Sequence, residues 1–175
     1  MFDLGCFLAD CETAIREDDS HKAVQEVVAR AVAEPAAVLK ALGEPRGGAL
    51  QKLYQSPKLT VLNVVWPPGL TVMPHNHQMW AVIGMYTGRE DNIFWRRLSG
   101  GKIEAAGAKS LSAKDTTPLG RDIVHSVTNP IPRLSAGIHV YGGDFFGVAR
   151  SEWDPESLSE RPFDVARAQR AFAAT

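Results

Sequence analysis

The sequence predicts a mainly β protein, a jelly-roll barrel entered through an N-terminal helical preface. Three observations carry this expectation. Apolar residues recur at helical spacing through roughly the first forty positions. From residue 49 to residue 146 the pattern changes to short runs rich in Val, Ile, Trp and Tyr, and clusters of Pro, Gly, Asn and Asp separate those runs. A chain of 175 residues is the usual size of one domain and buries a real core. The expected division is a preface at 1–48, a barrel at 49–150 and a tail at 151–175, all in a single domain.

In the preface, Leu4, Phe7, Leu8, Cys11 and Ile15 line one face of a first helix. Ser20 can cap a second, with Val24, Val27, Val28 and Ala31 on one side. Pro35 suits the first turn of a third that Gly43 closes. The paired glycines Gly47 and Gly48 mark the loop out. Candidate strands follow at 59–66, 80–86, 92–98, 123–127 and 137–141, with Pro67-Pro68-Gly69 and Ser99-Gly100-Gly101 as turns. Many short strands in such a stretch fit a barrel or jelly roll better than a parallel sheet. The segment 164–172 reads as a last surface helix.

Charge excludes several functions. Nineteen Lys and Arg against twenty Asp and Glu give a net charge of −1, with no long run of one sign. No nucleic acid and no membrane surface is therefore expected as partner, and the expected ligand is a small molecule. No apolar run reaches the length of a bilayer span, and the stretch 2–8, broken by Asp3, lacks the basic leader of a signal peptide. Cys6 and Cys11 fall on different sides of the first helix, so no disulfide and a reducing, cytoplasmic setting are expected.

Four of the five histidines lie in the β region, at 75, 77, 125 and 139. In an extended segment His75 and His77 project from one face. His125 stands in Ile123-Val124-His125-Ser126-Val127, and a closed barrel can bring its face opposite the first pair. A polar surface pair or a hydrogen-bonded core pair is the plainer reading of His-x-His. The surroundings favour a metal site. Pro67-Pro68-Gly69 ends one strand, Met73-Pro74 leads into the pair, and Trp80-Ala81-Val82-Ile83-Gly84 continues to Thr87-Gly88. That layout resembles the first motif of the cupins, whose fold is the double-stranded β-helix.

Most cupins carry a glutamate ligand shortly after the second histidine, but Trp80, Ala81 and Val82 stand there. The site would be all-histidine, with Glu90 expected in a solvated turn beyond the strand. Three neutral imidazoles leave a divalent charge uncompensated, which favours an anionic ligand such as a thiolate or carboxylate. Imidazole suits iron, nickel, copper and zinc alike, so the ligands do not fix the metal.

Over residues 59–150 the chain resembles the thiol dioxygenases, which include cysteine dioxygenase and 3-mercaptopropionate dioxygenase. The likeness rests on Pro74-His75-Asn76-His77, on Asp122-Ile123-Val124-His125-Ser126-Val127-Thr128-Asn129 and on Ile138-His139-Val140-Tyr141-Gly142. It implies Fe(II) held by His75, His77 and His125, with a small thiol and O2 as substrates and a sulfinic acid as product. The family's serine, histidine and tyrosine at alternate strand positions fall on Gly137, His139 and Tyr141, so the serine is missing. Ser135 is two residues too early to replace it. The family's carboxylate-binding arginine falls on Arg150.

On physical grounds His139 and Tyr141 share a strand face, where a phenol can donate to oxygen or substrate beside a cation. Ordinary barrel packing is the alternative. For Arg150 the alternative is a surface ion pair with Glu152 or Asp154. Trp80 is expected in the core and His21 in solvent. Val82 occupies the region where some cysteine dioxygenases carry a crosslinked cysteine, so no crosslink is expected.

The sequence thus points to a non-haem iron(II) dioxygenase acting on a small carboxylate-bearing thiol. Two other readings stand beside it. One is a cupin holding Zn, Ni or Mn that acts on a non-thiol carbonyl compound. The other is a non-catalytic cupin that binds a small molecule.

Overall fold

The structure, a computed structural model, describes residues 1–173. Local signals set the helix starts. Asp3 accepts the Cys6 N–H at 2.8 Å and opens α1 (Leu4–Glu17). Ser20 caps α2 (His21–Val32), and Pro35 begins α3 (Pro35–Leu42), which Gly43 ends with a φ of 87°. All three preface helices therefore match the sequence expectation.

The strands are β1 (Ala49–Gln55), β2 (Thr60–Trp66), β3 (Thr71–Asn76), β4 (Ala81–Thr87), β5 (Arg89–Arg97), β6 (Ile103–Ser112), β7 (Thr116–Leu119), β8 (Val124–Thr128), β9 (Ser135–Tyr141), β10 (Ser151–Trp153) and β11 (Glu160–Pro162). A helix, α4 (Val165–Ala173), follows. The strands form two antiparallel sheets, one in the order β1-β2-β9-β4-β7 and one in the order β11-β10-β3-β8-β5-β6.

Alternation along β2, β4 and β9 divides the core. Val61, Val65, Val82, Ile138 and Val140 face outward and pack with the apolar sides of α1, α2 and α3. Leu62, Val64, Trp66, Ala81, Ile83 and Tyr141 face the space between the sheets. Covering both faces accounts for the unbroken burial of β2. The preface closes the back of the first sheet and leaves the barrel mouth alone. Its contact is tight at Gly84, where a Cβ would stand 2.3 Å from Val28 Cγ1.

The last helix forms at the surface as expected, with Phe172 its one buried residue, and it covers the mouth. Phe172 of α4 is buried and packs on Trp66 at 4.8 Å between ring centroids. Val165 and Ala168 line the same interior. The expectation for Glu90 is corrected. Strand β5 starts at Arg89, ahead of the expected 92, so Glu90 lies inside a strand and is 0 % exposed rather than solvated. Among the described residues, no helix is long and apolar enough to cross a membrane.

Candidate metal centre

The second sheet brings the three histidines together. Strands β3 and β8 run antiparallel with Val72 opposite Val127 and His75 opposite His125. Three residues on β3 thus match two on β8, and the extra one is accommodated by a bulge at Met73-Pro74. Pro74 suits that place because it has no N–H to give the ladder. The bulge changes the phase of the strand: Val72 and His75, an odd number apart, both face the interior beside Val127 and His125. His77 follows just beyond β3, where Gln78 turns the chain with a φ of 58°.

His77 Nε2 lies 3.2 Å from His75 Nε2 and 3.4 Å from His125 Nε2. One ligand atom from each ring falls within 4.8 Å of the others, and all three residues are buried. Two of the outer nitrogens have partners. His75 Nδ1 donates to the Met73 carbonyl at 2.9 Å. His125 Nδ1 donates to Asn92 Oδ1 at 2.8 Å, and Asn92 Nδ2 donates onward to Glu90 Oε1 at 3.0 Å. With both Nδ1 atoms protonated, the Nε2 atoms of His75 and His125 present lone pairs to one point. A cation at that point would take up both lone pairs, as ligation requires. The residues present therefore fit a divalent ion.

Burial keeps these rings neutral, as ligation requires. It lowers the His75 pKa from 6.5 to about 4. It pushes His77 and His125 well below their ordinary value, with the neighbouring imidazoles adding to the shift.

His139 and Tyr141 lie on β9, the central strand of the opposite sheet, where His139 sits across from Leu62 on one side and Ile83 on the other. The Tyr141 ring meets His77 edge-on at 5.1 Å, and its hydroxyl lies 3.3 Å from His139 Nδ1. Burial raises the Tyr141 pKa, so the phenol keeps its proton at neutral pH. The sequence-selected pair thus faces the three-histidine cluster. Ser135 does not reach His139; its hydroxyl donates to Asn129 and accepts from the Arg89 backbone. At Gly137 a Cβ would lie 2.8 Å from Met85 Sδ and 3.0 Å from the Gly84 carbonyl, leaving little room for a serine.

Arg150 stands just before β10, which pairs Glu152 with His75 of β3. No ion pair forms with Glu152 or Asp154, because Arg161 binds both and Arg167 also binds Glu152. Instead the Arg150 guanidinium lies between two rings, 4.1 Å from the Phe145 centroid and 4.3 Å from that of Phe163. Nη1 donates to the Phe145 carbonyl. Nε and Nη2 are buried without partners among the described residues. Burial lowers the Arg150 pKa to about 10, which leaves it cationic.

One pocket is lined by His75, His77, His125, His139, Tyr141 and Arg150. Its remaining wall is apolar and includes Val64, Val127, Phe163 and Phe172, with no carboxylate in the lining among the described residues. Trp80 is absent from that lining; it packs with the preface core and donates its indole N–H to the Asp19 carbonyl. Sequence reasoning missed Glu90 and Asn92. Period-two alternation within β5 marks both as inward-facing once the strand is taken to begin at Arg89.

No family model matches the sequence. Among solved structures, the chain resembles an RmlC-like cupin family protein with a double-stranded β-helix fold from Methanocaldococcus jannaschii. The TM-score is 0.50 at 10 % identity over 59 % of this chain and 87 % of that one. The fold is the cupin double-stranded β-helix. A double-stranded β-helix protein from Klebsiella pneumoniae has a TM-score of 0.46 at 14 % identity, over 58 % of this chain and 78 % of that one. An oxalate oxidase in complex with the substrate analogue glycolate has a TM-score of 0.46 at 19 % identity, over 58 % of this chain and 53 % of that one. At such identities the likeness speaks for the cupin fold and does not single out thiol dioxygenases.

Proposed function

We propose that this cupin is a non-haem iron(II) thiol dioxygenase whose substrate is a small thiol bearing a carboxylate. The observation that carries the reading is Arg150, a buried cation with two free donors in the same pocket as a three-histidine cluster. Nε and Nη2 share one edge of a guanidinium, the geometry that meets a carboxylate through two parallel hydrogen bonds. The flanking rings of Phe145 and Phe163 hold that edge in place and exclude water from it.

His75, His77 and His125 would hold the iron. The ion supplies activation of dioxygen. Tyr141 keeps its proton, donates it to His139 Nδ1 and turns its hydroxyl oxygen as an acceptor toward the face of the cluster. The apolar wall excludes bulk water from the reacting sulfur. The overall change converts R–SH and O2 to R–SO2H, both oxygen atoms ending on sulfur. Because no carboxylate among the described residues lines the pocket, an ammonium group finds no anionic partner among them, and 3-mercaptopropionate is favoured over cysteine.

The test is to load the protein with iron(II), add 3-mercaptopropionate, cysteine or cysteamine, and record oxygen uptake and sulfinate. Uptake with the first, matched by sulfinate, is expected. No thiol-dependent uptake with any of the three overturns the reading. Zinc or manganese in protein purified without added metal would, together with that result, favour a carbonyl compound as substrate.

A further inference from the structure

The sequence leaves two vacancies, a carboxylate ligand absent from the metal set and a serine absent beside His139. One residue stands where both are answered. Glu90 is wholly buried, and its two oxygens face different partners. Oε1 accepts from Asn92 Nδ2 at 3.0 Å, and Asn92 Oδ1 accepts from His125 Nδ1 at 2.8 Å. Oε2 lies 3.3 Å from His139 Nε2, and neither of those two buried atoms makes a hydrogen bond among the described residues.

We infer that Glu90 is the positioning residue of this site, anchoring through one carboxylate both the metal ligand His125 and the His139–Tyr141 pair. Two chains of donors end on it. In one, Tyr141 O–H donates to His139 Nδ1, and His139 Nε2 carries its proton on the side that faces Glu90 Oε2, 3.3 Å away. In the other, His125 Nδ1–H donates to Asn92 Oδ1 and Asn92 Nδ2–H donates to Glu90 Oε1. The first chain fixes the His139 tautomer and so the direction of the phenol hydroxyl. The second leaves His125 Nε2 free for the ion and makes that imidazole a stronger donor. A negative charge thus stands one residue behind an all-histidine set, in place of a carboxylate ligand. Gly137 belongs to the same arrangement: with no side chain there, the histidine is served from β5 rather than from its own strand.

The catalytic consequence rests on the dioxygenase reading, but the arrangement does not. Long-range 1H–15N spectra of the imidazoles in zinc-loaded wild-type protein test it without any variant. His139 is expected with its proton on Nε2 and His125 with its proton on Nδ1. A proton on Nδ1 of His139 overturns the inference. Glu90→Gln offers one acceptor and one donor, so it can serve only one chain. It is expected to weaken iron(II) binding roughly tenfold or more. It should also lower kcat at least about tenfold while KM stays within about twofold, and Glu90→Asp should recover part of the loss. Wild-type iron affinity and kcat in Glu90→Gln would likewise overturn it. If the wild type consumes no oxygen with any thiol, the functional reading falls by itself, while the tautomer and the iron affinity still decide the role of Glu90.

Discussion

The Arg150 guanidinium carbon lies 4.3 Å from the centre of the Phe163 ring, and among the described residues no carboxylate pairs with it. A cation held this way stabilises a ligand at some cost to the fold, since a buried charge without an ion partner opposes folding.

Arg150→Met separates the two effects. The apolar side chain fits between Phe145 and Phe163, and the thermal midpoint should rise by about a few degrees. KM for 3-mercaptopropionate should increase roughly ten- to hundredfold, the scale of losing hydrogen bonds to a charged group. Cysteamine, which lacks the carboxylate, should be handled as before. Melting curves and steady-state oxygen uptake check both halves.

Removing any one ring of the cluster should empty the site. His75→Ala, His77→Ala and His125→Ala are each expected to reduce bound iron to about a tenth of the wild-type content or less, since two imidazoles hold a divalent ion far less well than three. His139→Ala, whose ring bonds to Tyr141 and faces Glu90, should retain its metal. Metal content by elemental analysis after dialysis distinguishes ligands from supports.

Acid should weaken the metal-free protein. The His75 ring titrates near 4 when folded against 6.5 ordinarily, so on acidification the unfolded chain takes up its proton first. Its contribution is fully present above pH 6.5 and declines as the pH falls toward 4, reaching a loss of about 3 kcal/mol. His77 and His125 shift in the same direction and add to the decline. Urea midpoints of metal-free protein at pH 7.5 and pH 5 should differ accordingly. Equal midpoints would mean that these rings take up protons as readily in the fold as in the unfolded chain.

Asn129 fixes the turn after β8. Its Nδ2 donates to the carbonyls of Trp66, Pro67 and Arg133, and its Oδ1 accepts from Ile131 N and Ser135 Oγ. Asn129→Ala leaves several of these groups unpaired in the interior and should lower stability by about 3 kcal/mol. Denaturant unfolding measures it.

The residues that face the pocket were legible in the sequence to different degrees. His75, His77 and His125 are rare residue types at informative spacing in strand-like runs, and His139 and Tyr141 share a face by the same alternation. The preface was readable from Ser20, Pro35 and Gly43 because caps are local. Glu90 was not, since a charged residue after Gly88 looks like part of a turn until the strand's start is known. Strand β6 escaped notice for a related reason: of its ten residues only Ile103 and Leu111 are buried, so no apolar alternation marks it. The place of α4 depends on which surface of the barrel is left open, and that is a property of the assembled sheets rather than of residues 165–173.

His77 and His125 are 48 positions apart along the chain, yet their ring nitrogens lie 3.4 Å from each other. An ion shared by them would act as a clasp, closing a long loop that an unfolded chain keeps open at an entropic cost. Chelation would then do more than silence chemistry: it would unfasten β3 from β8 and speed the opening of the sheet.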